Sequence, residues 1–196
     1  MVPIILGSVI AFGLTVERGM LLWKIRLDVR KFADDILFLV SKGDCNQARL
    51  LCRNTPHPAG AVFGAGLDHR GEDPREIERI MEHEGNSQIA RLEKNMNVFM
   101  TVIGVEPLLG FLGTILGLIQ AFMAWESHAS SVTVEQLAAG IYQAMITTAG
   151  GLLVAIPYYI VYNFFIGRIN AAAREMNHYG EDLVRALSVK KNGKRK

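Results

Sequence analysis

Two stretches of this chain decide its class. Val98 to Trp125 is 28 residues long with Glu106 as its only acid or base, and Leu137 to Gly167 is 31 residues with no ionisable side chain except tyrosine. A helix crosses the hydrocarbon core of a bilayer in about 20 apolar residues. A helix that is apolar all round is buried in a large core or in lipid, and a soluble α-protein of 196 residues rarely has two such runs. The whole-chain averages hide the pattern: 20% charged residues and a mean hydropathy of only +0.21. The charges are collected elsewhere, and the sequence reads as an integral membrane protein.

A third span is expected at the N-terminus. Met1 to Val16 is apolar, without the basic start or small-x-small cleavage site of a signal peptide. It is followed by Glu17-Arg18, by Trp23, and then by Lys24, Arg26, Arg30 and Lys31. The 21 Lys and Arg residues divide as Arg18, twelve from Lys24 to Lys94, and eight from Arg168 onward, with none in Glu126 to Gln136. The positive-inside rule then places the N-terminus and the short connector outside and the basic segments in the cytoplasm. The expected order is a first span at 1–23, a cytoplasmic helical region at 24–97, a second span at 98–125, a periplasmic connector at 126–136, a third span at 137–167, and a cytoplasmic extension with a basic tail at 168–196. The fold class is an all-α membrane protein with three transmembrane helices. The second and third extend into the cytoplasm as long helices, and short cytoplasmic helices lie between the first and second.

Local signals support those short helices. Val29, Phe32, Ala33, Ile36, Leu37 and Val40 repeat at helical spacing before Gly43. Asp44 can cap a helix holding Ala48, Leu51 and Cys52, which Pro56-His57-Pro58 ends, and Ala59 to Leu67 forms another. Asp73-Pro74 restarts a helix with acids in its first turn. No strong break follows before Trp125, so one helix of ~75 Å is expected at 1.5 Å per residue. The third span is expected to continue to about Leu187 through Ile169, Ala173, Met176, Tyr179 and Leu183. The tail from Lys190 to Lys196 is basic enough to meet anionic headgroups. Cys45 and Cys52 read as packing residues and form no metal or disulfide framework. A net charge of +2 argues against a nucleic-acid partner. No Walker loop, nucleophile elbow or dinucleotide fingerprint is present, so neither an enzyme nor a cofactor or metal is expected.

The spans carry a repeated device. Gly110, Gly113, Thr114, Gly117 and Ala121 fall on one face of the second, and Gly140, Ala144, Thr147, Thr148, Gly151 and Ala155 on one face of the third. Small residues in membrane helices mean close packing. Threonine hydroxyls can also replace water around a proton carrier or a small cation. Glu106 lies about 12 Å in from Val98, and Gln143 about 9 Å in from Leu137 on the opposite side. An acid within a span is a functional candidate by default, with a structural hydrogen bond or a snorkelling position as the alternatives. Pro107 and Pro157 are potential kinks. Tyr158, Tyr159, Tyr162 and Trp125 fit interfacial anchors.

These residues resemble the ExbB/TolQ/MotA proton-channel family, most closely its ExbB/TolQ branch. The resemblance rests on Pro107 to Thr114 (PLLGFLGT), on Gly140-Ile141, and on Ala144 to Asn163 (AMITTAGGLLVAIPYYIVYN). Glu17-Arg18, Gly43-Asp44, Leu51-Cys52 and Pro58 support it. Three spans fit ExbB/TolQ, whereas MotA-type stators have four. The resemblance implies a pentamer in a bacterial inner membrane around the single spans of two ExbD/TolR-like subunits, driving a TonB- or TolA-like transducer. It implies that Thr114 and Thr148, with Thr147 adjacent, line the pore facing the partner's aspartate, and that the first span lies at the lipid periphery. Two positions depart from the pattern. Gln143 stands where many relatives have glutamate, and Glu106 where they have a small residue before the proline. Gln143 cannot titrate, so Glu106 is the candidate titratable group, at the inner exit of the path or in a site for sodium instead of protons. The rival readings are a non-conducting scaffold that stabilises its partner and, less well matched to three spans, a secondary transporter.

Overall fold

The computed structural model of the chain describes residues 2–24, 28–127 and 134–193. Their regular elements are all α-helices: α1 (Val2–Lys24), α2 (Val29–Lys42), α3 (Cys45–Asn54), α4 (Pro58–Asp68), α5 (Pro74–Glu93), α6 (Met96–Ser127) and α7 (Val134–Gly193). Among the described residues, helices long and apolar enough to cross a membrane occur three times, in α1, in α6 and in α7. The chain is an all-α membrane protein. The connector expected at 126–136 and the tail at 190–196 include residues 128–133 and 194–196, which lie outside the described residues.

The short helices begin where side chains can satisfy the free N–H groups of a first turn. Asp28, Asp44 and Asp73 accept hydrogen bonds from the backbone N–H of Lys31 (3.2 Å), Gln47 (3.0 Å) and Arg75 (3.0 Å). His57 does the same for α4: its Nδ1 accepts from the Ala59 N–H at 3.0 Å. Gly43, at φ 94°, ends α2 in the left-handed region, where a residue without Cβ is at no disadvantage.

The single helix expected from Pro74 to Trp125 is interrupted. Lys94 turns extended (ψ 136°) and Asn95 is left-handed (φ 63°), separating α5 from α6. Asparagine tolerates that conformation better than other side chains because its short amide bonds locally. The Asn95 carbonyl accepts from the Phe99 N–H at 3.0 Å to start α6, and its amide donates to Glu17 Oε2 at 3.5 Å. In contrast, α7 is continuous for 60 residues, through Pro157.

The helices divide into two compact units. One comprises the end of α1, helices α2–α5 and α7 beyond Phe164; its core is built on Phe32, Ile36, Phe63, Leu67, Ile77 and Met81, to which α7 contributes Met176, Leu183 and Leu187. The rings of Phe32 and Phe63 stack at 5.7 Å and 6°. Cys52 belongs to this core as a free thiol. Burial, reinforced by the charge of Asp68, pushes that thiol up to about 12. Arg49 pairs with Asp68 beside it.

The other unit comprises α1 as far as Gly19, α6 from Asn95, and α7 as far as Phe164. Here α1 buries Ile4, Ala11 and Arg18, seven residues apart, while Ile5, Leu6, Val9 and Phe12 remain exposed. A seven-residue repeat keeps one narrow stripe facing its neighbour. The opposite face is apolar and suits lipid.

Candidate functional site

In this unit α6 and α7 meet along an antiparallel seam. Its geometry appears when a Cβ is imagined on each glycine. At Gly151 it would sit 2.6 Å from the Glu106 carbonyl oxygen; at Gly110, 2.9 Å from that of Thr147. At Gly113 it would meet the Thr147 hydroxyl at 2.7 Å, at Gly117 the Ala144 Cβ at 2.7 Å, and at Gly140 the Ala121 Cβ at 2.9 Å. The partners run 106, 110, 117, 121 on one helix against 151, 148, 144, 140 on the other. Backbone lies against backbone at Gly151 and Gly110, so the two helices are closer there than any side chain would allow.

Within the seam, Thr114 and Thr148 hydrogen-bond to each other. Thr114 Oγ1 also lies 3.0 Å from the Ala144 carbonyl, and Thr148 Oγ1 3.0 Å from the Gly110 carbonyl. Thr114 Oγ1 is also 3.4 Å from the Gly110 carbonyl of its own helix. Each hydroxyl has a single proton, so two protons serve four contacts. The Ala144 carbonyl already accepts from the Thr147 hydroxyl at 2.6 Å. One arrangement runs Thr114 O–H to Thr148 Oγ1 and Thr148 O–H to the Gly110 carbonyl; its reverse runs Thr148 O–H to Thr114 Oγ1 and Thr114 O–H to the Ala144 carbonyl. The first is a short directional chain of hydroxyls joining one span to the other. Reversing it requires only that both hydroxyls rotate, since the Ala144 carbonyl stands ready to accept from Thr114.

Glu106 lies at one end of the seam and is 2% exposed. Its Oε1 rests against Gly7 of α1, with Val102 alongside, and its Oε2 has no hydrogen-bond partner. The carboxyl group thus points toward α1, while its own backbone carbonyl faces Gly151 of α7. Gln143 lies outside the seam, exposed on the turn before the buried Ala144. Pro107 and Pro157 are both accommodated inside continuous helices. Half-buried Tyr158 and Tyr162 meet Phe99 edge-on at 6.3 and 6.0 Å. Tyr159 and Trp125 remain exposed.

Sequence reasoning missed Gly7. Its signal was a small residue four positions before another, Ala11, the spacing that lets membrane helices approach closely. Nothing in the chain order tied that pair to Glu106, about a hundred residues away.

The sequence profile of the MotA/TolQ/ExbB proton channel family matches residues 54–178, which take in α4 to α6 and most of α7. The chain belongs to this family. It is 31% identical over 170 residues to the putative biopolymer transport protein ExbB-like 3 of Synechocystis sp., covering 84% of this chain and 79% of that one. The Tol-Pal system protein TolQ of Haemophilus influenzae is 35% identical over 116 residues, 59% of this chain and 50% of TolQ. The biopolymer transport protein exbB1 of Vibrio cholerae reaches 52% identity over 59 residues, 30% of this chain and 26% of its own. The ExbB/TolQ branch is therefore the right one, and the chain spans half the length of the TolQ that it matches.

Proposed function

We propose that this chain is the ExbB/TolQ-like subunit of an inner-membrane motor, which uses ion-motive force to do mechanical work on a partner reaching across the periplasm. The observation that carries the reading is the hydroxyl chain of Thr114 and Thr148, set in a seam of glycines within the family-matched region. A scaffold needs the glycines alone. A conducting path needs groups that can pass or solvate an ion without bulk water, and hydroxyls with two interchangeable bonding directions serve that purpose.

In this proposal five copies surround a dimer of single-span ExbD/TolR-like subunits. Thr114 and Thr148, with Thr147 beside them, line the path opposite the partner's acid. Gln143 stands at the outer end as a non-titrating polar group, and Glu106 serves the inner end. The glycines Gly110, Gly113, Gly117, Gly140 and Gly151, with Ala144, hold the spans together, and Pro107 and Pro157 allow local bending. The N-terminus is periplasmic, residues 24–97 and 168–196 are cytoplasmic, and the work passes to a TonB- or TolA-like transducer for outer-membrane transport or envelope maintenance. Protons are the proposed ion.

The test replaces both hydroxyls by near-isosteric methyls. A strain carrying Thr114→Val with Thr148→Val should assemble the complex at wild-type abundance yet lose motive-force-dependent transport or envelope integrity. Full retention of that phenotype with assembled complex would instead support the non-conducting scaffold.

A further inference from the structure

The seam between α1 and α6 contains a buried acid at a place where packing alone would select an apolar residue. Glu106 is 98% buried by its 2% exposure, and Oε2 has no partner. The wall against Oε1 is Gly7, and a Cβ there would overlap the carboxyl group, so glycine is the residue that leaves room for it. The titratable groups of each neighbouring element lie elsewhere. Along α1 the next ones are Glu17 and Arg18, ten and eleven residues on and paired with each other. On α7 the phenols of Tyr158 and Tyr162 belong to side chains packed on Phe99. On α6 no other ionisable group occurs from Val98 to Trp125.

We propose that Glu106 is a single-proton site closed by the Gly7 face of α1, and that displacement of α1 opens it. A small metal cation requires several oxygen ligands, and here an orphaned oxygen has no second donor beside it. A proton requires one oxygen. With α1 docked, a charged carboxylate would be an uncompensated charge in an apolar enclosure, a strongly unfavourable state. The closed seam therefore holds the acid O–H, and the proton leaves for water only when α1 moves away. The first span becomes the movable wall of a proton site. The inference rests on the motor reading only for what the released proton drives.

Carbodiimides test this without any transport assay. A carbodiimide takes the carboxyl proton onto nitrogen while the carboxyl oxygen bonds to its central carbon, so an acid enclosed between two membrane helices reacts with a reagent that partitions into the hydrocarbon and not with a water-soluble one. In membranes containing the full-length chain at pH 7, dicyclohexylcarbodiimide should add to Glu106, read by peptide mass spectrometry, and Glu106→Gln should abolish the adduct. A water-soluble carbodiimide with an amine nucleophile should label Glu106 at least tenfold less. Gly7→Ala, which wedges the wall, should raise the water-soluble labelling at least tenfold. If Gly7→Ala lowers the amount of folded chain, Gly7→Ala with Glu106→Ala should restore it, because the new methyl then fills the vacated space. Equal labelling by both reagents in the wild type, or no membrane-soluble labelling, would overturn the proposal. So would labelling unchanged by Gly7→Ala, or failure of the double variant to recover. All of these outcomes are independent of whether Thr114 and Thr148 support transport.

Discussion

His57 caps α4 through Nδ1, and that bond exists only while Nδ1 is an unprotonated acceptor. Burial lowers its pKa from 6.5 to about 4. The unfolded chain therefore binds a proton between those values that the folded chain refuses, so stability rises with pH through this window and falls as pH drops through it. Integrating the difference, the contribution that is nearly complete at pH 7.5 is reduced by about 2 kcal/mol at pH 5. His57→Asn isolates this term. Asparagine is a better N-cap than histidine, and its side-chain oxygen can take the same Ala59 N–H without titrating. Thermal unfolding of the full-length chain in detergent, followed at pH 7.5 and pH 5, should show a pH-dependent loss in the wild type larger by about 2 kcal/mol than in His57→Asn. Amide exchange in the first turn of α4, corrected for its intrinsic pH dependence, should show the same contrast. Identical pH responses in the two proteins would refute the assignment of the cap to a neutral imidazole.

Three further substitutions test the packing. Gly151→Ala would set a methyl against the Glu106 carbonyl, a backbone atom that cannot rotate aside, and should cost about 1–3 kcal/mol in thermal unfolding; Gly13→Ala, with nothing within 4 Å, should cost nothing. Asn95→Ala forces a Cβ-bearing residue without a local amide into the left-handed region and should cost about 1–2 kcal/mol, whereas Asn95→Gly should be tolerated. Cys52, buried and raised to about 12, should resist maleimide in the folded protein over hours at pH 7, while the half-buried Cys45 reacts; comparable labelling of both would show that the core around Cys52 opens readily.

What was legible in the sequence was what depends on neighbours in the chain. The spans follow from runs without charge. The ends of α2, α3 and α5 follow from Gly43, Asp44 and Asp73, whose side chains or missing Cβ act within four residues. The break at Asn95 escaped notice because asparagine is common in helices and turns alike, and only the tertiary bond to Glu17 marks its role. The small faces of the second and third spans were readable from spacing. That Thr114 and Thr148 bond to each other depends on the register of two antiparallel helices, which is set where Gly151 and Gly110 meet opposing backbone. Glu106 was visible as an anomaly. Its orientation toward Gly7 was not, since the two residues lie on different spans and neither constrains the other locally. His57 went unnoticed as a cap because histidine is a weak choice at that position and the flanking prolines already signalled a turn.

In the proposed function the hydroxyls of the α6–α7 seam carry ion coupling and do not merely join two helices. An interhelical hydrogen bond in a membrane is worth about 0.6 kcal/mol on average and at most about 1.7, so valine at both positions should leave the assembly intact. Proton flux is the most direct measurement. The complex purified from its own membranes is placed in liposomes enclosing a pH-sensitive dye, and a potential is imposed. The wild-type complex should admit protons, and Thr114→Val with Thr148→Val should reduce that flux at least tenfold without loss of assembled complex. Equal flux through both would contradict the account.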